Sequence, residues 1–290
     1  MEGFHPLIRQ WFERTFGAPT ETQRVGWPPI RAGQDTLICA PTGTGKTFTA
    51  FLALLDDLLR QGLNGTLTEG IQAVYLSPLK ALGNDIAVNL QKPLEGIEET
   101  CKAAGLTMPA IRVAIRNGDT TSAERARMLN HPPHVLITTP ESLYLLLTGT
   151  RSCALLVHVR VVIVDELHAL LDTKRGAHLS LSLERLRALC TCAPQRIGLS
   201  ATLASLQAGA AFLAGARDET TPRPAVCIQP VDDKRMTLSV TAPLDDLAHP
   251  PDGTIWPALI QNAYEAAQTV RTTLIFVNGR ATAEKMAAGL

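Results

Sequence analysis

Cys39-Ala40-Pro41-Thr42-Gly43-Thr44-Gly45-Lys46-Thr47 is the stretch from which the rest of the chain is read. The apolar run Thr36-Leu37-Ile38-Cys39 leads into it, and Phe48-Thr49-Ala50-Phe51-Leu52-Ala53-Leu54-Leu55 follows with the apolar spacing of a helix. A strand, a glycine-rich turn and a helix start form a cradle for phosphates. Backbone N–H groups converge at the turn, and the helix N-terminus adds partial positive charge. In such a cradle Thr42, Gly43, Thr44 and Gly45 surround the phosphates, Lys46 reaches the β- and γ-phosphates, and the Thr47 hydroxyl faces Mg²⁺. Ala40 occupies the slot where the usual pattern has its first glycine, so the reading rests on the core Gly43-Thr44-Gly45-Lys46-Thr47.

A phosphate cradle hydrolyses nothing alone. Further on, Val159-Arg160-Val161-Val162-Ile163-Val164 runs directly into Asp165-Glu166-Leu167-His168. A buried strand delivering Asp-Glu at its carboxyl end is what a hydrolytic phosphate-loop protein needs. Asp165 would hold Mg²⁺ through water, and Glu166 would orient and deprotonate the attacking water. Ser200-Ala201-Thr202 follows another buried strand, and its hydroxyls could bond to Asp165 or His168. On spacing alone an ordinary helix N-cap is the better account of Ser200 and Thr202.

Around these motifs short Val- and Ile-rich strands alternate with helical stretches. Strands are expected at 36–39, 72–76, 111–115, 134–138, 159–164 and 196–200, with helices at 47–59, 79–94, 122–129 and 179–188. The strand runs are nearly continuous rather than alternating. The expected fold is therefore α/β, a parallel sheet covered by helices on both faces. After residue 216 the pattern changes: isolated strands at 225–229 and 236–241, a proline-rich loop, a helix at 256–269, a buried strand at 273–277 and a last helix at 281–290. The expected division is 1–216, a nucleotide-binding domain, and 217–290, a linker with the truncated start of a second α/β domain.

The chain has 290 residues, 46% of them hydrophobic, enough for a sizeable core. Its formal net charge is zero, which excludes a global basic field, so a nucleic-acid binder would need a local basic groove. Six cysteines show no Cys-x-x-Cys spacing and are expected to be reduced thiols, mostly buried. With no signal-like start and no membrane-length apolar run, a soluble cytoplasmic chain without membrane association is expected.

The motif order resembles the first RecA-like domain of a superfamily 2 DEAD/DEAH-type helicase. Upstream, Pro19-Thr20-Glu21-Thr22-Gln23 resembles the Q-motif, whose glutamine reads adenine, which implies that role for Gln23. Ser77-Pro78-Leu79-Lys80-Ala81-Leu82 resembles motif Ia and Thr138-Thr139-Pro140-Glu141-Ser142-Leu143 motif Ib. Ile275-Phe276-Val277-Asn278-Gly279-Arg280 resembles motif IV, with Gly279 where a serine is expected. Leu79-Lys80-Ala81-Leu82-Gly83-Asn84-Asp85, Arg116-Asn117-Gly118-Asp119-Thr120 and Arg175-Gly176-Ala177-His178-Leu179 narrow the resemblance to the large helicase-related (Lhr) group.

That resemblance implies an ATP- and Mg²⁺-dependent helicase, with Lys46, Asp165 and Glu166 catalytic. His168, Ser200 and Thr202 would couple the two sites, and Pro78, Lys80, Asn117, Thr139, Ser142 and Arg280 would lie on nucleic acid. The implied partner is single-stranded or duplex nucleic acid, DNA in preference to RNA, unwound 3′ to 5′ or as an RNA–DNA hybrid. Motifs V and VI do not occur in the sequence, so a C-terminal helicase part in another chain is a further expected partner. The competing expectation is a non-catalytic nucleic-acid-binding fragment without turnover. A metabolic kinase is disfavoured by the Asp-Glu-Leu-His and Ser-Ala-Thr segments. Several site residues also have plain structural readings: Thr139 and Ser142 as a helix cap, Asn117-Gly118-Asp119 as a tight turn, Trp11, Trp27 and Trp256 as packing rather than base stacking.

Overall fold

Within the strands Thr36–Cys39 and Val161–Val164, successive side chains enter two different cores. On the strand Thr36–Cys39 Leu37 joins one cluster and Ile38 the other; on Val161–Val164 Val162 and Val164 face one way and Ile163 the opposite. This is the signature of a sheet buried on both faces, and it explains why the strand runs are apolar without alternation. The computed structural model describes residues 1–78, 80–218, 221–230, 237–250 and 253–290, and leaves the side chains of Lys80, Ala81, Leu82 and Asn84 undescribed.

In chain order the elements are α1 (Pro6–Phe16), α2 (Glu21–Arg31), β1 (Thr36–Cys39), α3 (Lys46–Leu63), β2 (Ala73–Leu76), α4 (Lys80–Ala103), β3 (Val113–Arg116), α5 (Ser122–Asn130) and β4 (Val135–Thr138). Then follow α6 (Pro140–Thr148), α7 (Thr150–Cys153), β5 (Val161–Val164), α8 (Lys174–Leu189), β6 (Gln195–Ser200), α9 (Leu206–Ala214), β7 (Val226–Ile228), α10 (Trp256–Gln268) and α11 (Arg280–Gly289). The seven strands form one sheet in the order β3-β4-β2-β5-β6-β1-β7, and every pairing is parallel. Helices α1 to α4 pack on one face, and α6, α8 and α9 on the other. All six strands expected in the first 200 residues form.

The N-terminal helices are fastened rather than loose. Asp56, buried on α3, accepts from Arg60 at 2.8 Å and from the His5 backbone at 2.6 Å, and lies 3.4 Å from Arg31. Trp11 and Trp27 are buried, and Trp27 Nε1 donates to the Thr49 carbonyl at 3.1 Å, so these two rings belong to packing. Helix α4 continues past Pro93 because its buried stripe continues, through Ile86, Leu90, Ile97 and Cys101. Helix α8 starts before the expected residue 179 because the Thr173 hydroxyl caps it, accepting from Gly176 N at 2.9 Å.

Three expectations need correction. The strand near 225–229 is not isolated: β7 pairs with β1, and Arg223 beside it holds Glu184 of α8 at 2.6 and 2.7 Å. The segment 273–277 is not a strand, nor is 237–241; Leu274 and Phe276 are 78% and 89% exposed. Met236, expected to open that second strand, lies outside the described residues. Nor are the cysteines mostly buried. Cys39 and Cys101 are, Cys153 and Cys190 are half-buried, and Cys192 and Cys227 are exposed.

The chain divides into two compact units, Met1–Asp232 and Asp233–Leu290. The first contains the whole sheet. In the second, α11 packs on α10 through Gly289 against Ile260, and Lys285 Nζ sits 4.2 Å from the centre of the Trp256 ring. Among the described residues no helix is long and apolar enough to cross a membrane.

Candidate active site

Because all strands are parallel, their carboxyl ends share one edge, and three of the sequence motifs meet there. The phosphate-loop segment leaves β1, Asp165-Glu166 leaves β5, and Ser200 ends β6, which lies between them. Cys39 pairs in register with Ser200, and Ala40 N donates to the Ser200 carbonyl at 3.0 Å. Asp165 N donates to the Leu76 carbonyl at 2.9 Å, which holds Asp165 level with the end of β2.

The loop takes the shape its glycines permit. Gly43 and Gly45 have φ of 81° and 84°, the left-handed region that a side chain rarely adopts. Gly45 caps α3, so Lys46 is the first helical residue; its side chain is buried, and Thr47 is half-buried. Thr42 and Gly43 are exposed at the tip. Thr44 Oγ1 closes the turn by donating to the Pro41 carbonyl at 2.8 Å.

Gln23 lies beside this loop. It is buried, and a Cβ added to Gly45 would lie 2.9 Å from Gln23 Nε2. Gln23 also sits in a capping box with Thr20: Thr20 N donates to Gln23 Oε1 at 2.9 Å, and Gln23 N to Thr20 Oγ1 at 3.3 Å. Thr20 Oγ1 in turn donates to the Thr44 carbonyl at 2.8 Å. The cap that starts α2 therefore also fixes the loop. Thr20 had no role in the sequence reading, although its spacing to Gln23 is the capping-box signature.

Asp165 is buried, and the Tyr75 hydroxyl donates to its Oδ2 while Glu166 N donates to Oδ1 at 2.9 Å. Burial pushes the Asp165 carboxyl above the usual carboxylate range; the Tyr75 hydroxyl, the Glu166 N–H and Lys46 oppose this. Burial and the Asp165 charge push the Tyr75 phenol far above its ordinary value, so it remains a donor. Tyr75 stacks on Phe51 of α3 at 4.9 Å, which fixes its ring. Sequence reasoning missed this residue. The signal was an aromatic with a polar tip inside a fully buried strand.

Glu166 adopts φ 48°, ψ 47°, a left-handed conformation uncommon for a residue with a side chain. Its Oε2 lies 3.4 Å from His168 Nδ1, and the same Nδ1 lies 3.2 Å from Ser200 Oγ. Ser200 donates its proton to the Thr202 carbonyl at 3.0 Å, which makes His168 Nδ1 the donor to Ser200. Ser200 thus contacts His168 and not Asp165, and Thr202 takes part through its backbone while its side chain is exposed.

The residues expected on nucleic acid are less uniform. Pro78 is buried after β2, and the Lys80 side chain lies outside the described residues. Asn117 closes a turn, its Oδ1 accepting from Asp119 N at 2.9 Å. Thr139 caps α6 by accepting from Ser142 N at 3.3 Å, and both side chains are buried. The cap and turn readings therefore describe these side chains as they stand. Arg280 is exposed at the start of α11, in the second unit.

Asp165 is a buried carboxylate with no Lys or Arg ion-paired to it among the described residues. Together with the Thr47 hydroxyl it offers the hard oxygen donors that Mg²⁺ takes. Residues 20–208 match the DEAD/DEAH box helicase family. The chain belongs to that family. It is 44% identical over 280 residues to "ATP-dependent helicase Lhr-Core protein 2" of Thermococcus barophilus, covering 97% of this chain and 32% of that protein. It is 43% identical over 287 residues to "Lhr helicase/ probable uracil glycosylase" of Mycolicibacterium smegmatis, covering 99% of this chain and 18% of that one. The solved structure of Mycobacterium smegmatis helicase Lhr bound to ssDNA and AMP-PNP superposes with a TM-score of 0.83 at 43% identity, over 98% of this chain and 35% of that chain. This helicase-family chain thus spans between 18% and 35% of the length of these relatives, and its sheet is the RecA-like fold they share.

Proposed function

We propose that the chain is the ATP-binding motor domain of an Lhr-type, ATP-dependent nucleic-acid helicase. The observation that carries this is the meeting, at one sheet edge, of the loop after β1, Asp165-Glu166 after β5 and Ser200 at the end of β6. ATP phosphates would rest on the backbone of residues 42–45, with Lys46 on the β- and γ-phosphates and Gln23 on the adenine. Thr47 and Asp165 would hold Mg²⁺, which when bound neutralises charge on the phosphate oxygens. Tyr75 holds the Asp165 carboxylate in one orientation. Glu166 would orient the attacking water and take its proton, and its contact with His168 links that step to Ser200.

The partner is a nucleic-acid strand, single-stranded DNA in preference to RNA, tracked 3′ to 5′; the Lhr relative holding both ssDNA and AMP-PNP supports these ligand classes. Residues Pro78, Lys80, Asn117, Thr139, Ser142 and Arg280 are our candidates for that track. The test is ATP turnover by the purified chain with and without single-stranded DNA, beside Lys46→Ala. DNA-stimulated turnover that the variant lacks supports the motor reading. Mg²⁺-dependent ATP binding without turnover reduces it to a nucleotide-binding part. Absence of ATP binding contradicts it.

A further inference from the structure

Away from the loop after β1, a cavity of about 350 Å³ opens between α5 and the α6–α7 turn. Three of its eight lining residues are arginines, Arg116, Arg125 and Arg151; none is acidic, and Ser122 supplies a hydroxyl, while Ser152 Oγ already donates to the Leu146 carbonyl at 2.8 Å. Arg116 ends β3, Arg125 lies on α5 and Arg151 on α7, so three separate elements bring the charges together. Among the described residues none of the three guanidiniums is ion-paired. Burial, and then the charge of Arg125, hold Arg116 below the usual arginine value. Arg125 Nε is buried with no hydrogen-bond acceptor.

Such an arrangement is costly as it stands. Like charges repel, and a buried donor without an acceptor loses its hydration for nothing. The cost is the more notable in a chain of zero formal net charge, where cations elsewhere commonly sit beside acids: Asp56 takes Arg31 and Arg60, and Glu184 takes Arg196 and Arg223. One bound anion with several oxygens removes both penalties. A phosphate group matches the forked guanidinium donors, and the cavity is large enough for it.

We propose that Arg116, Arg125 and Arg151 form a binding pocket for a phosphate group, separate from the nucleotide loop. The phosphate is either a phosphodiester of a bound strand, a source that rests on the proposed nucleic-acid partner, or a free phosphate anion. The test uses the full chain carrying Lys46→Ala, so that phosphate on the nucleotide loop does not contribute and failure of the ATP reading leaves the result intact. Thermal unfolding is followed in sodium phosphate and in sodium chloride at equal ionic strength. The expected result is a phosphate-specific rise in Tm, with apparent phosphate affinity reduced at least about tenfold by Arg125→Gln and by Arg151→Gln. Arg151 is exposed on a short helix, so its replacement leaves the fold in place.

In the second arm, a fluorescent single-stranded oligodeoxynucleotide is titrated across a salt series. If the phosphate belongs to a strand, each variant weakens binding and lowers the salt slope by about 0.7. If it is a free anion, oligonucleotide binding and slope stay unchanged while the phosphate-specific rise in Tm is still lost. No phosphate-specific rise in the parent, or an equal rise in both variants, overturns the proposal.

Discussion

Val161-Val162-Ile163-Val164 and Thr273-Leu274-Ile275-Phe276-Val277 are both short runs of mostly apolar residues, one in each unit of this chain, and they meet opposite fates. The first is β5, held between β2 and β6, with Ile163 fully buried. The second has no strand partner among the described residues, and Phe276 is 89% exposed. Intrinsic preference for extended backbone is similar in both. What differs is the presence of neighbours whose N–H and C=O groups complete the ladder and whose helices cover the faces. Strand formation in a parallel sheet is a property of the assembly, not of the run, and only the run is visible in a sequence.

The sharpest way to break this comparison is paired truncation in equilibrium urea unfolding. Ile163→Ala should cost about 2–5 kcal/mol, and Phe276→Ala no more than about 0.5 kcal/mol. Equal costs would mean that 273–277 is packed in solution.

The next effect concerns how β7 is tied to the sheet. Arg196 is buried, donates to the carbonyls of Leu213 and Leu183 at 3.1 Å each, and pairs with Glu184 at 3.0 Å. Burial works to raise the Glu184 pKa, but Arg223 and Arg196 outweigh it and hold the carboxyl below the usual range. An acid with a lowered folded pKa contributes its stabilisation fully above the unfolded value, about 4.3 for Glu, and loses it as pH falls through the folded value. Glu184→Gln should therefore cost about 1–3 kcal/mol at pH 7, because Arg196 is left buried without its charge partner. The gap to the parent should close below about pH 4. A gap that persists at pH 3 would show that the clamp acts through packing rather than charge.

Smaller still is the link between α2 and the loop. Gly45→Ala places a Cβ against Gln23 at a φ of 84°, and should cost about 1–2 kcal/mol of stability while weakening ATP binding. Gly33→Ala also carries a positive φ, 72°, but its Cβ meets nothing. It should cost a similar stability and leave ATP binding unchanged, which separates backbone strain from the Gln23 contact.

The legible part of the fold was the part whose signal is local. Continuous Val/Ile runs mark strands buried on both faces, and the glycine turn and the Asp-Glu pair mark the carboxyl ends where they stand. Ser200 was legible as a site residue, but its partner was not, because the spacing leaves both Asp165 and His168 open. Tyr75 was invisible for the same reason: it reaches Asp165 across ninety positions of sequence, through the pairing of β2 with β5. The run at 225–229 was legible as a strand, but its pairing as β7 with β1, 190 positions earlier from Val226 to Thr36, was not. Thr139 and Ser142 carried two readings in the sequence, and the geometry shows the hydroxyls engaged in the cap of α6.

Gln23, residues 42–47, Tyr75, Asp165, Glu166, His168 and Ser200 all lie in the first unit, so under the proposed function this unit alone carries the nucleotide site. The most direct test is the affinity of residues 1–232 for ATP with Mg²⁺, measured by calorimetry beside the full chain. The expected dissociation constants lie within about twofold of each other, and both bindings are lost in Lys46→Ala. A loss of more than about tenfold on removing 233–290, with the 1–232 piece still folded, would contradict that reading.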